Sequence, residues 1–218
     1  MREIFNGIFK SGKKLYTQNL IPGEKVYGEN LIRKGKKEYR EWSPERSKLA
    51  AAILNGLNNA PLGAGTKVLY LGASTGTTCS HISDIVGRES IVYAVEFAER
   101  VFRELVKLAE KRKNICPILA DARKPQEYDW IEEVDVVYCD VAQPDETKIV
   151  MRNAEKFLKA GGWLMLAVKA RSIDVTKKPK EIYEEEKKKL EKEFEIINLV
   201  ELEPFEKDHC FILARKKS

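Results

Sequence analysis

Apolar positions along the chain change their spacing at two places, and those changes divide it. Through residues 1–42, short β-prone runs at 4–9, 14–17, 25–28 and 37–40 alternate with turn signals. Asn6-Gly7 is a hairpin turn pair, and Pro22-Gly23 marks another turn. A small antiparallel β domain is expected over 1–42, its aromatic residues forming the core of a small sheet. Ser43-Pro44-Glu45 has the form of a helix start, with Ser as cap and Pro in the first turn. Leu49, Ile53 and Leu57 then share one face of a helix over 46–57. From Lys67 onward, strand-length apolar runs alternate with helix-period segments. Strands are expected at 67–71, 91–95, 115–119, 134–139, 163–169, 194–201 and 209–215, with helices near 77–86, 97–112, 144–158 and 179–193. Alternation of this kind predicts an α/β fold with a mostly parallel, seven-stranded sheet covered on both faces. The last two strands are joined through Glu203-Pro204-Phe205 with no helix between, so the final strand should run antiparallel. Residues 43–218 are read as one domain.

The stretch from Val68 to Ser80 joins a β-prone run to Gly72-Ala73-Ser74-Thr75-Gly76-Thr77-Thr78, the form of a ligand-binding strand–turn–helix. Ligands in an open parallel sheet sit at the carboxyl ends of the strands. There the next strands end in Glu96, in Asp121-Ala122 and in Asp140-Val-Ala-Gln143. Glu96 lies twenty residues past Gly76, the spacing at which an acid accepts ribose hydroxyls. Three ligand readings follow. A dinucleotide prefers Gly-x-Gly-x-x-Gly, and Asp121 and Asp140 would face its pyrophosphate. A Ser74, Asp140, His209 hydrolase follows the right chain order, but its elbow would sit after the first strand of the sheet with no His-Gly-Gly segment upstream. S-adenosylmethionine carries a ribose, an adenine and a positive centre without phosphate, and suits an acidic cleft.

Composition narrows this picture modestly. Charged residues make up 33% of the 218, rich in Lys and Glu with two His, a balance seen in heat-adapted proteins. Residues 1–48 hold twelve Lys/Arg against six Asp/Glu, and the remainder is nearly neutral. That asymmetry suggests a polyanionic partner, or equally a solvated loop. Four cysteines stand singly, which fits buried thiols in a reducing compartment, and no metal site is expected. No apolar run is long enough to span a membrane and the N-terminus has no apolar signal region, so a cytoplasmic location is expected.

The chain also resembles the archaeal fibrillarin-like 2′-O-methyltransferases over essentially its full length. The motifs that carry the resemblance run from Glu41-Trp-Ser-Pro-Glu-Arg-Ser-Lys-Leu-Ala-Ala-Ala-Ile53 through Tyr70-Leu-Gly-Ala-Ser-Thr-Gly-Thr-Thr78 and Val92-Tyr-Ala-Val-Glu-Phe97. They continue with Asp121-Ala-Arg123, Asp140-Val-Ala-Gln-Pro144, Val168-Lys-Ala-Arg-Ser-Ile-Asp174 and Leu202-Glu-Pro-Phe-Glu-Lys-Asp-His209. The resemblance implies a Rossmann-like methyltransferase sheet after a small N-terminal β domain. It also implies S-adenosylmethionine contacts from Thr77, Thr78, Glu96, Phe97, Asp121, Ala122, Asp140 and Gln143, beside the turn residues Gly72, Ala73 and Thr75. Further implied are methylation of ribose 2′-hydroxyls in rRNA and tRNA directed by box C/D guide RNA, and recruitment by a Nop-type scaffold and a kink-turn-binding ribosomal-type protein.

A ribose hydroxyl is a poor nucleophile at neutral pH, so a base or a positive charge near its oxygen is needed. Lys169 ends the fifth strand beside Asp140 and is the candidate for deprotonating or orienting the hydroxyl, with Asp140 holding Lys169 and the donor. Lys48 is the candidate second cation, and similarity to the Lys-Asp-Lys-Glu tetrads of related ribose methyltransferases places His209 fourth. A donor-binding scaffold without turnover, or methylation of a small molecule or protein, are the alternative functions.

Overall fold

In the computed structural model, which describes residues 1–217, the N-terminal run signals become five short antiparallel strands. They are β1 (Arg2–Phe5), β2 (Ile8–Ser11), β3 (Lys14–Gln18), β4 (Leu31–Lys34) and β5 (Lys37–Trp42), ordered β1-β2-β3-β5-β4. Asn6-Gly7 turns β1 into β2, with Gly7 at φ +69° where a side chain would be strained. Residues 25–28 do not form the expected strand. The Glu29 carboxylate accepts the amides of Val26 at 3.0 Å and Tyr27 at 2.8 Å, so those donors are spent on a side chain and a loop results. The strand forms at Leu31–Lys34 instead.

The first helix also starts later than expected. Ser43 Oγ donates to Glu45 Oε2 at 2.8 Å and heads only a 3-10 turn over Pro44–Arg46. Ser47 is the true cap, its side chain accepting from the amide of Ala50, and α1 covers Lys48–Leu54. Lys48 thereby becomes the first residue of the helix.

The main sheet contains β6 (Val68–Leu71), β7 (Val92–Glu96), β8 (Ile115–Leu119), β9 (Val134–Cys139), β10 (Leu158–Lys169), β11 (Phe194–Glu201) and β12 (His209–Lys216). Its order is β11-β12-β10-β9-β6-β7-β8. Pairs from β10 through β8 are parallel, and β12 inserts antiparallel between β10 and β11. Helices α2 (Thr77–Val86), α3 (Glu99–Lys111), α4 (Glu146–Phe157), α5 (Ala170–Ile173) and α6 (Pro179–Leu190) complete the chain. β10 begins at 158, earlier than its apolar run, because Gly161 and Gly162 carry a register jump against β9. None of the helices is long and apolar enough to cross a membrane among the described residues.

Buried polar groups bind the N-terminal sheet to α2. Arg40 of β5, fully buried, donates Nε to Glu29 Oε1 at 2.6 Å and Nη1 to Asp84 Oδ2 at 2.9 Å. Arg112, after α3, donates to Asp84 Oδ1 at 2.6 Å, and Thr17 donates to Asp84 Oδ2 at 2.7 Å. His81 of α2 stacks on Trp42 with ring centroids 4.8 Å apart. Two buried carboxylates, Glu29 and Asp84, thus neutralise two desolvated guanidiniums, and Asp84 bridges them. Removing a partner from such a buried set typically costs about 3–5 kcal/mol. Asp84→Ala should lower the stability measured by urea unfolding by about that amount, far more than removing the exposed Glu104–Lys107 pair.

Candidate active site

All four loops that close the site leave the carboxyl edge of the sheet, because β6, β7, β8 and β9 run parallel. After β6 the chain makes its tightest passage. Gly72 has φ +79°, and a Cβ there would lie 2.7 Å from the Asp140 carbonyl oxygen. Ser74 is held at φ +50°, and Gly76, at φ +90°, abuts Leu108 of α3 before α2 begins. The buried Glu96 carboxylate at the end of β7 fixes this turn: Oε2 accepts the amide of Ser74 and Oε1 that of Ala98, both at 2.8 Å. Each oxygen keeps a lone pair for a hydroxyl donor.

A cavity of about 160 Å³ lies over this edge, lined by Gly72, Glu96, Phe97, Asp121, Ala122, Asp140 and Gln143 together with Ser74, Arg123 and Ile149. Phe97 presents an exposed ring beside it, 62% accessible. Arg123 grips Asp121 with its Nε 3.0 Å from both carboxylate oxygens and holds that carboxyl below the usual range. Four expected contacts stand apart from this cavity. Thr75 and Thr77 line a separate space of about 330 Å³ with Lys25, Tyr27 and Glu104. Ala73 is buried, and the Thr78 hydroxyl donates to Ser47 Oγ at 3.0 Å, tying the start of α2 to the cap of α1. A larger cavity, about 1180 Å³, lies near the amino ends of the strands against Asn6, Pro61, Arg88 and Trp163 and contains none of the expected site residues.

The chemistry of the lining fits S-adenosylmethionine. Its acids and aromatic ring suit a nucleoside with a positive centre, and the one cation present, Arg123, is already committed to Asp121.

Next to the cavity the structure gathers the four candidate reactive residues. Lys48 Nζ lies 2.7 Å from Asp140 Oδ1, each side chain about one-fifth exposed. Asp140 was expected to hold Lys169; the shifted helix start puts Lys48 in that place. Burial pushes the Lys48 amine down, but Asp140, with help from Glu206, outweighs it and holds it above its ordinary value as an ammonium. Burial lifts the Asp140 carboxyl, with Lys48 opposing. Lys169, the last residue of β10, pairs directly with His209, the first of β12, so both side chains leave one face of the ladder. His209 sits 2.6 Å from the Lys207 carbonyl through Nδ1. A carbonyl only accepts, so Nδ1 carries the proton and Nε2 bears the lone pair. Burial, with help from Lys48 and Lys169, lowers the His209 pKa and keeps the ring neutral. The His209 Nδ1 proton thus goes to a backbone carbonyl and not to Asp140, and the Ser74, Asp140, His209 hydrolase arrangement does not assemble.

Two acids escaped the sequence reading. Glu206 precedes β12 and faces Lys48 and Asp140. Glu146 is fully buried at the start of α4. Helical spacing puts it on the same face as Ile149, Val150, Asn153 and Phe157, but nothing in that spacing says why an acid is buried there.

Comparison with known proteins decides the family. The Fibrillarin family model matches residues 1–218. This chain belongs to the fibrillarin family. The fibrillarin-like rRNA/tRNA 2′-O-methyltransferase of Thermococcus sibiricus is 53% identical over 205 residues, 94% of this chain and 91% of that protein. Aeropyrum pernix fibrillarin, solved with natively bound S-adenosyl-L-methionine, superimposes with a TM-score of 0.89 at 48% identity, covering 98% of this chain and 96% of that one. The fibrillarin of a fibrillarin/Nop5p complex superimposes with a TM-score of 0.91 at 42% identity, over 99% of this chain and 100% of that one.

At φ +79° and with no room for a Cβ, Gly72 admits no larger residue without displacing the strand end. Calorimetry should show Gly72→Ala binding S-adenosylmethionine at least about tenfold more weakly, a loss of ~1.4 kcal/mol. Gly65→Ala, which meets nothing within 4 Å, should leave that affinity unchanged.

Proposed function

We propose that this protein transfers a methyl group from S-adenosylmethionine to ribose 2′-hydroxyls of rRNA and tRNA, as the catalytic subunit of a box C/D guide-RNA particle. The observation that carries the reading is the Lys48–Asp140 pair standing beside an acidic cavity and the paired Lys169 and His209. S-adenosylmethionine, when bound, supplies a methyl group made electrophilic by the adjoining sulfonium charge. Glu96 and Asp121 would hold hydroxyl and amine donors of its nucleoside, and Phe97 would cover the adenine. Gly72, Ala122 and Gln143 would complete the cradle, while Ala73, Thr75, Thr77 and Thr78 shape the turn from outside the cavity.

Protein side chains then handle the proton of the ribose hydroxyl. Lys48 is engaged as an ammonium and serves to fix Asp140. His209 Nε2 offers a neutral lone pair, and Lys169 offers positive charge on the same face of the sheet. We assign Lys169 to orient the hydroxyl and stabilise its developing negative charge, and His209 to accept the proton. Such proton transfer contributes typically about 10²–10⁴-fold.

A Nop-type protein is the proposed scaffold, with a kink-turn-binding ribosomal-type protein and the guide RNA completing the particle. Excess positive charge is confined to residues 1–48, where Arg40 is buried and Lys14, Arg33 and Lys48 are paired with acids, which limits the phosphate contacts left to this chain alone. Partners would therefore supply most of the RNA affinity.

Tritiated methyl transfer to a guide-matched RNA in the assembled particle tests the assignment. Lys169→Ala should lower kcat at least about 100-fold while donor affinity stays within about threefold. Undiminished turnover would remove Lys169 from the reaction. The His209 pKa lies below its ordinary 6.5, so the rate should hold through neutral pH, and its acid limb should begin only below that value. His209→Gln should be slow and should lack that acid limb.

A further inference from the structure

Glu146 is a buried carboxyl with no role in the chemistry above, and its surroundings are unusual. It is the first residue of α4 and has no exposed surface. Oε1 accepts the backbone amide of Lys169 at 3.2 Å, and Oε2 has no partner among the described residues. The reason for the first contact is a strand that ends early. β9 stops at Cys139, opposite Leu166, so β10 runs three residues past its parallel neighbour. The Lys169 amide points to the side where β9 is missing, and the Glu146 carboxyl takes the place of the absent strand.

The groups around it do not favour a second negative charge. β9 contributes Cys139 and the residue after it is Asp140; β12 contributes Cys210, α6 contributes Glu186, and α1 contributes Lys48. Glu186 is itself buried and has Lys189 at 2.5 Å. The one cation that reaches toward Glu146, Lys48, is bound to Asp140 at 2.7 Å, and Glu146 has no ion pair among the described residues. An ionised Glu146 would compete with Asp140 for that ammonium.

We propose that Glu146 is a positioning residue that acts as a neutral carboxylic acid, holding the Lys169 end of β10 by its amide while leaving Lys48 to Asp140. This rests on the assignment of Lys169, Asp140 and Lys48 to methyl transfer. Burial, Glu186 and Asp140 push the Glu146 pKa up to about 9, which agrees with the neutral form. A glutamine has the same shape, accepts the same amide bond and never ionises.

The test compares Glu146→Gln and Glu146→Ala with the unaltered protein in the assembled particle, across pH 6 to 10. Glu146→Gln should retain kcat within about threefold at neutral pH and should lose an alkaline fall in rate, centred near 9, that the unaltered protein shows. Glu146→Ala should be at least about tenfold slower in kcat, with KM for RNA little changed. A glutamine variant more than about tenfold slow, or one keeping the same alkaline limb, would overturn the proposal. Two readings without turnover separate its failure from failure of the proposed function. At neutral pH, the infrared band of a protonated carboxylic acid should be present and should vanish in Glu146→Gln. The Lys169 amide should exchange slowly in the unaltered and Gln proteins and fast in Glu146→Ala. Absence of that band, or slow exchange in Glu146→Ala, would refute the positioning role whether or not the particle methylates RNA.

Discussion

Lys48 and Asp140, an ammonium and a carboxylate 2.7 Å apart and mostly withdrawn from water, hold the working edge of this protein together. Desolvating two charges costs several kcal/mol per ion, and close contact repays it only when geometry is good. The surrounding structure supplies that geometry. Ser47 caps α1 so that Lys48 opens the helix, and Thr78 ties that cap to the start of α2. α2 is in turn clamped to the N-terminal sheet through Asp84, Arg40 and Arg112. A chain of buried polar contacts therefore runs from the basic N-terminal sheet to the end of β9. Moving α1 by one turn would withdraw Lys48 and leave Asp140 charged and unpaired beside the cavity.

Sheet order supplies the remaining groups. Because β12 enters antiparallel between β10 and β11, its first residue meets the last residue of β10. A seventh strand parallel to the rest would carry His209 to the opposite edge. The antiparallel insertion thus does chemical duty as well as burying Phe211, Ile212 and Leu213. Neighbouring charges then divide the roles: Lys48 remains an ammonium, and His209 stays neutral with its lone pair free.

Much of this organisation was legible in the residues. The seven strands, the terminal antiparallel pairing and the Gly72–Gly76 turn follow from apolar spacing, missing helix signals and glycine placement. Three features were not legible, each because a side chain competed with the backbone pattern. Glu29 captured the amides of Val26 and Tyr27, so the strand expected at 25–28 formed later. Glu45 engaged Ser43, leaving Ser47 to cap the helix and Lys48 to reach Asp140. Glu146 carried a helix-surface residue type on an apolar face, and only the early end of β9 explains why an acid belongs there. In the turn itself, glycine placement located the loop, but Thr75, Thr77 and Thr78 lie outside the cavity it borders.

A double-mutant cycle on guided methyl transfer tests most directly whether the Lys48–Asp140 contact organises the reaction. Single turnovers of the assembled particle would be measured for Lys48→Met, Asp140→Asn and the pair, with donor saturating. If the contact is the working unit, each single change lowers the rate strongly and the double variant is little slower than the worse single one. That corresponds to a coupling of about 1–3 kcal/mol. Rate losses that simply add would contradict the account, because the two residues would then act independently.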